Sequence, residues 1–146
     1  MRRISIICCI LLFTISCGFE KNPIPYAAVN LNLDLTFKDK VLQPIGSYKE
    51  YTSKNINIAL ERAGYGGVLV VHNFLDEYKA FDRTCPYEVN PGITVEVDNE
   101  VRYAICPKCG TKYEIGMSAG VPDGSSRHGL LQYNVTKNGN TITVRN

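Results

Sequence analysis

The stretch CPKCGTKYE, Cys106 to Glu114, sets two cysteines at Cys-x-x-Cys spacing directly after the strand-like VRYAI of residues 101–105. Upstream, TCPYE (84–88) carries another cysteine, Cys85, at the end of EYKAFDR (77–83). Proline follows each leading cysteine, as Pro86 and Pro107. It lacks the N–H that a strand ladder needs, so both segments leave their strands there. Gly110 closes the second turn. Two loops at the ends of antiparallel strands, each bearing cysteine and proline, can face each other across a small metal site.

The remainder also reads as β, so the fold class expected is all-β. AAVNLNLDLTF (27–37) alternates strictly. Val29, Leu31, Leu33, Leu35 and Phe37 fall on one face, Asn30, Asn32, Asp34 and Thr36 on the other, which is a half-buried strand. GGVLVVHN (66–73) is a continuous apolar, β-branched run and predicts a more fully buried strand, with EYKAFDR pairing back on it across Asn73–Asp76. ITVEVDNEVRYAI (93–105) predicts two short strands about Asp98-Asn99, residues that tolerate positive φ. YNVTKNGNTITV (133–144) predicts a hairpin with a type I′ turn at Asn138-Gly139. One helix is expected, over NIALERAG (57–64), capped by Asn55 or Asn57 and stopped by Gly64.

The chain opens MRRISIICCILLFTISCGF, two arginines followed by an uncharged apolar run from Ile4 to Ile15. That layout is a secretory signal peptide, and twelve residues are too few to span a bilayer, which needs about 20. Ser16-Cys17-Gly18 resembles a bacterial lipobox, departing from it at Thr14, where leucine is usual. Residues 1–16 are then signal, Cys17 the lipidation site, 17–26 a tether kept extended by Pro23 and Pro25, and 27–146 one domain. The expected location is the bacterial cell envelope, periplasm-facing or at the surface, with the membrane reached through lipidated Cys17. Loss of Arg2 and Arg3 leaves 14 basic residues against 14 acidic ones. No basic face remains for nucleic acid. Loss of Cys8 and Cys9, with Cys17 acylated, leaves Cys85, Cys106 and Cys109 as the thiols.

The spacing Cys-x-Tyr, eighteen residues, Cys-x-x-Cys-Gly resembles that of the Rieske iron–sulfur family, Cys-x-His, a comparable gap, then Cys-x-x-His-Gly. GGVLVVHNFLDEYKAFDRTCPYE is similar to the family's approach to its first loop, CPKCGTKYEI to its second, and DGSSRHGLLQYNVTKNGNTITV to its third, cluster-covering loop and terminal hairpin. Gly124-Ser125-Ser126 stands where that third loop typically carries Gly-Pro. The resemblance implies a small domain of stacked antiparallel sheets with the two Cys-Pro loops at one end. It also implies a 2Fe-2S cluster and electron transfer to a redox protein partner, without catalysis. In the family two cysteines hold one iron and two histidines the other. Cys85 and Cys106 fall on the cysteine positions, Tyr87 and Cys109 on the histidine positions, so neither histidine is present.

Three readings of the site follow. A two-iron cluster could keep Cys85, Cys106 and Cys109 with a fourth ligand from His128 or, as phenolate, Tyr87. Zinc could be held by the three cysteines and His128. Without metal, Cys85 or Cys109 would pair with Cys106 as a disulfide in the oxidising envelope. The last two describe a non-redox structural or interaction lipoprotein. His72 reads as a strand or turn histidine, His128 as a loop residue outside any ligand role, and Tyr87, Tyr103 and Tyr113 as packing aromatics. CPKC also matches thioredoxin-like dithiols, but those need a helix after the first cysteine, and GTKYEIG has no helical period. No catalytic residues are expected.

Overall fold

The structure is a computed structural model describing residues 21–146. The expected signal peptide, the lipidation site Cys17 and the start of the tether lie outside those residues. Among them there are eleven strands and one 3-10 turn at Lys40–Leu42. No helix among them is long and apolar enough to cross a membrane. The fold is all-β and every strand pairing is antiparallel.

β1 (Val29–Asp34), β2 (Ser47–Tyr51), β3 (Arg62–Ala63), β4 (Val68–His72), β5 (Tyr78–Asp82), β10 (Gln132–Asn138) and β11 (Thr141–Arg145) make a seven-stranded sheet in the order β2-β4-β5-β10-β11-β1-β3. β6 (Glu96–Val97), β7 (Tyr103–Ile105), β8 (Lys112–Glu114) and β9 (Val121–Asp123) make a four-stranded sheet in that order.

β4 explains why the two sheets stack. All five of its residues are buried. Successive side chains point to opposite faces, so Val68 and Val70, with Ala80 of β5, enter one core with Leu31, Leu33, Ile142 and Val144. Leu69 and Val71, with Phe81, enter a second core with Ala104, Tyr113, Ile115, Cys85 and Cys106. A strand buried on both faces must be apolar throughout, and GGVLVVHN is.

Expectation and structure differ at four places. Residues 57–64 form no α-helix. Leu60 N and Glu61 N both donate to Asn57 O, closing a turn, and Arg62–Ala63 then pairs with β1 as an edge strand. The Glu61 carboxylate accepts from Asn57 N at 2.8 Å and from Lys38 at 3.4 Å, and eight residues give too few helical bonds to compete. Phe37 lies beyond the end of β1 and is 81 % exposed, the ladder having ended at Asp34. The β6–β7 turn takes its positive φ at Val101 (φ 55), whose side chain is needed in the second core, while Asp98 Oδ1 accepts from the N–H groups of Arg102 and Tyr103. The terminal hairpin pairs Asn138 with Thr141, so its central residues are Gly139 and Asn140. Only Gly139 has positive φ, which makes the turn II′-like rather than I′.

Candidate metal centre

β5 ends at Asp82, whose fully buried carboxylate accepts from Tyr65 N, Gly66 N, Thr84 N and Tyr133 Oη. Those bonds fix the chain as it enters the first cysteine loop. Cys85 N donates to Ile93 O, and Cys85 O accepts from Glu88 and Val89, so the loop curls back on itself. The second loop leaves β7 at Ile105 and re-enters at β8. Cys106 N donates to Thr111 O and Gly110 N to Cys106 O, with Gly110 at φ 71, a conformation that glycine adopts without strain. The third loop, after β9, is pinned on the second: Ser126 N donates to Thr111 Oγ1 at 3.3 Å, and Ser126 Oγ to His128 O at 2.8 Å.

The two Cys-Pro loops meet at one end of the stacked sheets. The sulfurs of Cys85, Cys106 and Cys109 all lie within 4.8 Å of one another, and three cysteines this close can hold a metal ion. All three are free thiols, Cys85 and Cys106 buried and Cys109 partly exposed. Cys85 Sγ and Cys109 Sγ are 3.7 Å apart. Tyr113 is a packing aromatic, fully buried, but its hydroxyl also lies 3.3 Å from Cys85 Sγ. Cys109 Sγ is 3.2 Å from Thr111 Oγ1. Neither contact was expected from the sequence. The only trace of them is that Thr111 and Tyr113 share the strand following Cys109.

The electrostatics separate the thiols. Burial pushes Cys106 up to about 11, although the backbone N–H groups of Cys109 and Lys108 point at its sulfur and favour the thiolate. Burial also opposes the Cys109 thiolate, but hydrogen bonds with Thr111 and then with Cys106 and Cys85 outweigh it, and the net direction is down. Burial and the contact with Cys85 push the Tyr113 hydroxyl up. Across the loops Lys108 Nζ reaches Glu88 at 2.6 Å.

His128 and Tyr87, with Pro86, Ser125, Arg127 and Pro23, line a cavity of about 240 Å³ beside the first cysteine loop. Tyr87 is 56 % exposed. His72 is a strand residue buried far from the thiols in sequence, its Nε2 2.8 Å from Asp76 Oδ1 and its ring stacked on Tyr78. Residues 22–24, expected as part of a tether, are docked on the domain: Asn22 Nδ2 donates to Gly129 O, and Ile24 is 5 % exposed. No protein-family model matches the chain, and no relative is found among curated proteins.

Proposed function

We propose that this chain is a Rieske-like domain, tethered to the envelope membrane through Cys17, in which a single tetrahedral ion replaces the iron–sulfur cluster and clips the two cysteine loops together. The observation that carries this reading is the sulfur spacing. Two thiolates about 2.3 Å from one tetrahedral ion stand roughly 3.8 Å apart. Cys85 and Cys109 stand 3.7 Å apart, with Cys106 within 4.8 Å of both. A two-iron cluster divides its ligands between two irons, so one cysteine of three would stand away from the other two. N–H groups aimed at the Cys106 sulfur and the Thr111 contact at Cys109 suit thiolates, the form that binds metal. Bound there, the ion would supply cross-linking rather than redox chemistry if it is zinc. The protein is then a structural or interaction lipoprotein, with no catalytic role assigned.

Metal and sulfide analysis of the full chain, expressed with zinc and iron both supplied, tests the site. One ion per chain without acid-labile sulfide is expected. Two irons and two sulfides, with a brown colour, would restore the electron carrier; no bound metal at all would remove the clip. For the anchor, Cys17→Ser should move the protein to the soluble fraction or stall its processing, since stable attachment requires acyl chains. Unchanged membrane partitioning would refute the tether.

A further inference from the structure

An oxidant arriving at this end of the protein does not meet three equivalent sulfurs. Cys85 and Cys106 have no solvent exposure, while Cys109 is partly exposed. Attack on an external disulfide therefore begins at Cys109. Of its two neighbours, Cys106 is engaged by the N–H groups of Lys108 and Cys109, inside a turn closed by Gly110 N donating to Cys106 O. The Cys106 sulfur is placed only to within 4.8 Å of the other two. Cys85 reaches across from the other loop, its sulfur already 3.7 Å from that of Cys109.

We propose that Cys109 and Cys85 form a redox-active dithiol whose oxidant is a small disulfide compound, and that closing it ejects the metal ion and leaves Cys106 as the one free thiol of the three. The sulfur of Cys109 attacks one sulfur of the disulfide R–S–S–R, forming a mixed disulfide and releasing R–S⁻. Cys85 Sγ then attacks Cys109 Sγ, forming the protein disulfide and releasing the second R–S⁻. Two protein thiols are oxidised and one disulfide is reduced to two R–S⁻; in the metal-free chain the two thiol protons go to these departing thiolates, and in the loaded chain the released cation balances their charge while they take protons from water. A bound ion loses two of its three sulfur ligands in this exchange. Ion release rests on the metal reading above; the pairing does not.

The test uses the full chain in detergent, both zinc-loaded and stripped by chelator, treated with about one equivalent of an aromatic disulfide such as dithiodipyridine. The protein is then denatured, alkylated, digested without reduction and mapped by mass spectrometry. The expected products are a Cys85–Cys109 linked peptide, alkyl label on Cys106, about two pyridinethiol molecules per bridge, and zinc freed in step with bridging. Cys106→Ser should still form the bridge, and Cys109→Ser should not. A bridge containing Cys106, or three alkylated thiols in the stripped protein, would overturn the pairing. Failure of the chain to take up zinc would remove the ejection step while the stripped sample still decides the pairing.

Discussion

In the seven-stranded sheet, ladders such as β4–β5 and β1–β11 run through five residue pairs, and the core beneath them is built from leucine, valine, isoleucine and tyrosine. In the four-stranded sheet no strand exceeds three residues, and the core contains Cys85 and Cys106. Short ladders leave most of the chain in turns that must be held by something else. The large sheet is held by its own ladders; the small one packs on β4 and β5 through the second core, which includes Cys85 and Cys106. A metal clip, or a bridge between the two cysteine loops, acts where backbone pairing is thinnest.

The largest loss is expected where β5 ends, inside the seven-stranded sheet. Asp82 belongs to β5 yet accepts bonds from the 65–66 turn, from Thr84 and from Tyr133 of β10. Asp82→Ala leaves buried N–H and O–H donors without partners, each worth roughly 1–3 kcal/mol before relaxation, so a loss of about 3–5 kcal/mol is expected. Denaturant unfolding should show both sheets going together. A change below about 1 kcal/mol would mean that Asp82 does not hold the end of β5 in place.

A milder perturbation should separate them. Stripping the proposed metal should abolish amide-exchange protection in β6–β9 while β1, β4, β5 and β11 keep theirs, because binding energy at such a site is folding energy only for the elements it joins. The pH response should also diverge. Metal binding requires deprotonated thiols, so affinity falls as pH is lowered. In the metal-free protein the folded state favours neutral Cys106, whose pKa is raised from 9.0 to about 11. Its contribution is therefore complete below pH 9 and is lost as pH rises towards 11. Thermal melts of the two forms across that range should move in opposite senses; parallel curves would contradict a thiolate clip.

The smallest expected effect is Tyr113→Phe. It keeps the ring in the second core and deletes only the hydroxyl beside Cys85, which should cost about 1 kcal/mol in the metal-free protein. Unaltered stability would show that the ring alone matters there.

Much of the architecture was legible because side-chain period reports burial directly. Val29, Leu31, Leu33 and Leu35 are all buried, and the apolar run of β4 is buried on both faces. The convergence of the two Cys-Pro loops was legible from proline and strand ends. What escaped was set by tertiary demand. Ser47–Tyr51 has no apolar alternation and pairs as an edge strand because β4 offers a free ladder beside it. Val121–Asp123, with a central proline, is tolerated at the free edge of the small sheet. Asp39 looks like a loop residue, yet it is fully buried and takes Tyr51 Oη and Lys49 Nζ at 2.8 Å. At the site, the sequence named the three thiols but could not rank them. Their order depends on exposure and on which sulfurs touch, and spacing carries neither.

Given the proposed lipid anchor at Cys17, the docking of Asn22 and Ile24 would limit how far the sulfur end stands from the bilayer. Asn22 is held at Gly129 and Pro23 sits in the cavity wall with Tyr87, beside the first cysteine loop. From Cys17 to Asn22 a fully extended chain spans at most about 18 Å. With acyl chains on Cys17, the leash is shorter than the domain it holds. The thiols would then lie near the lipid headgroups. Whatever meets Cys109, oxidant or protein, would have to come along the bilayer surface.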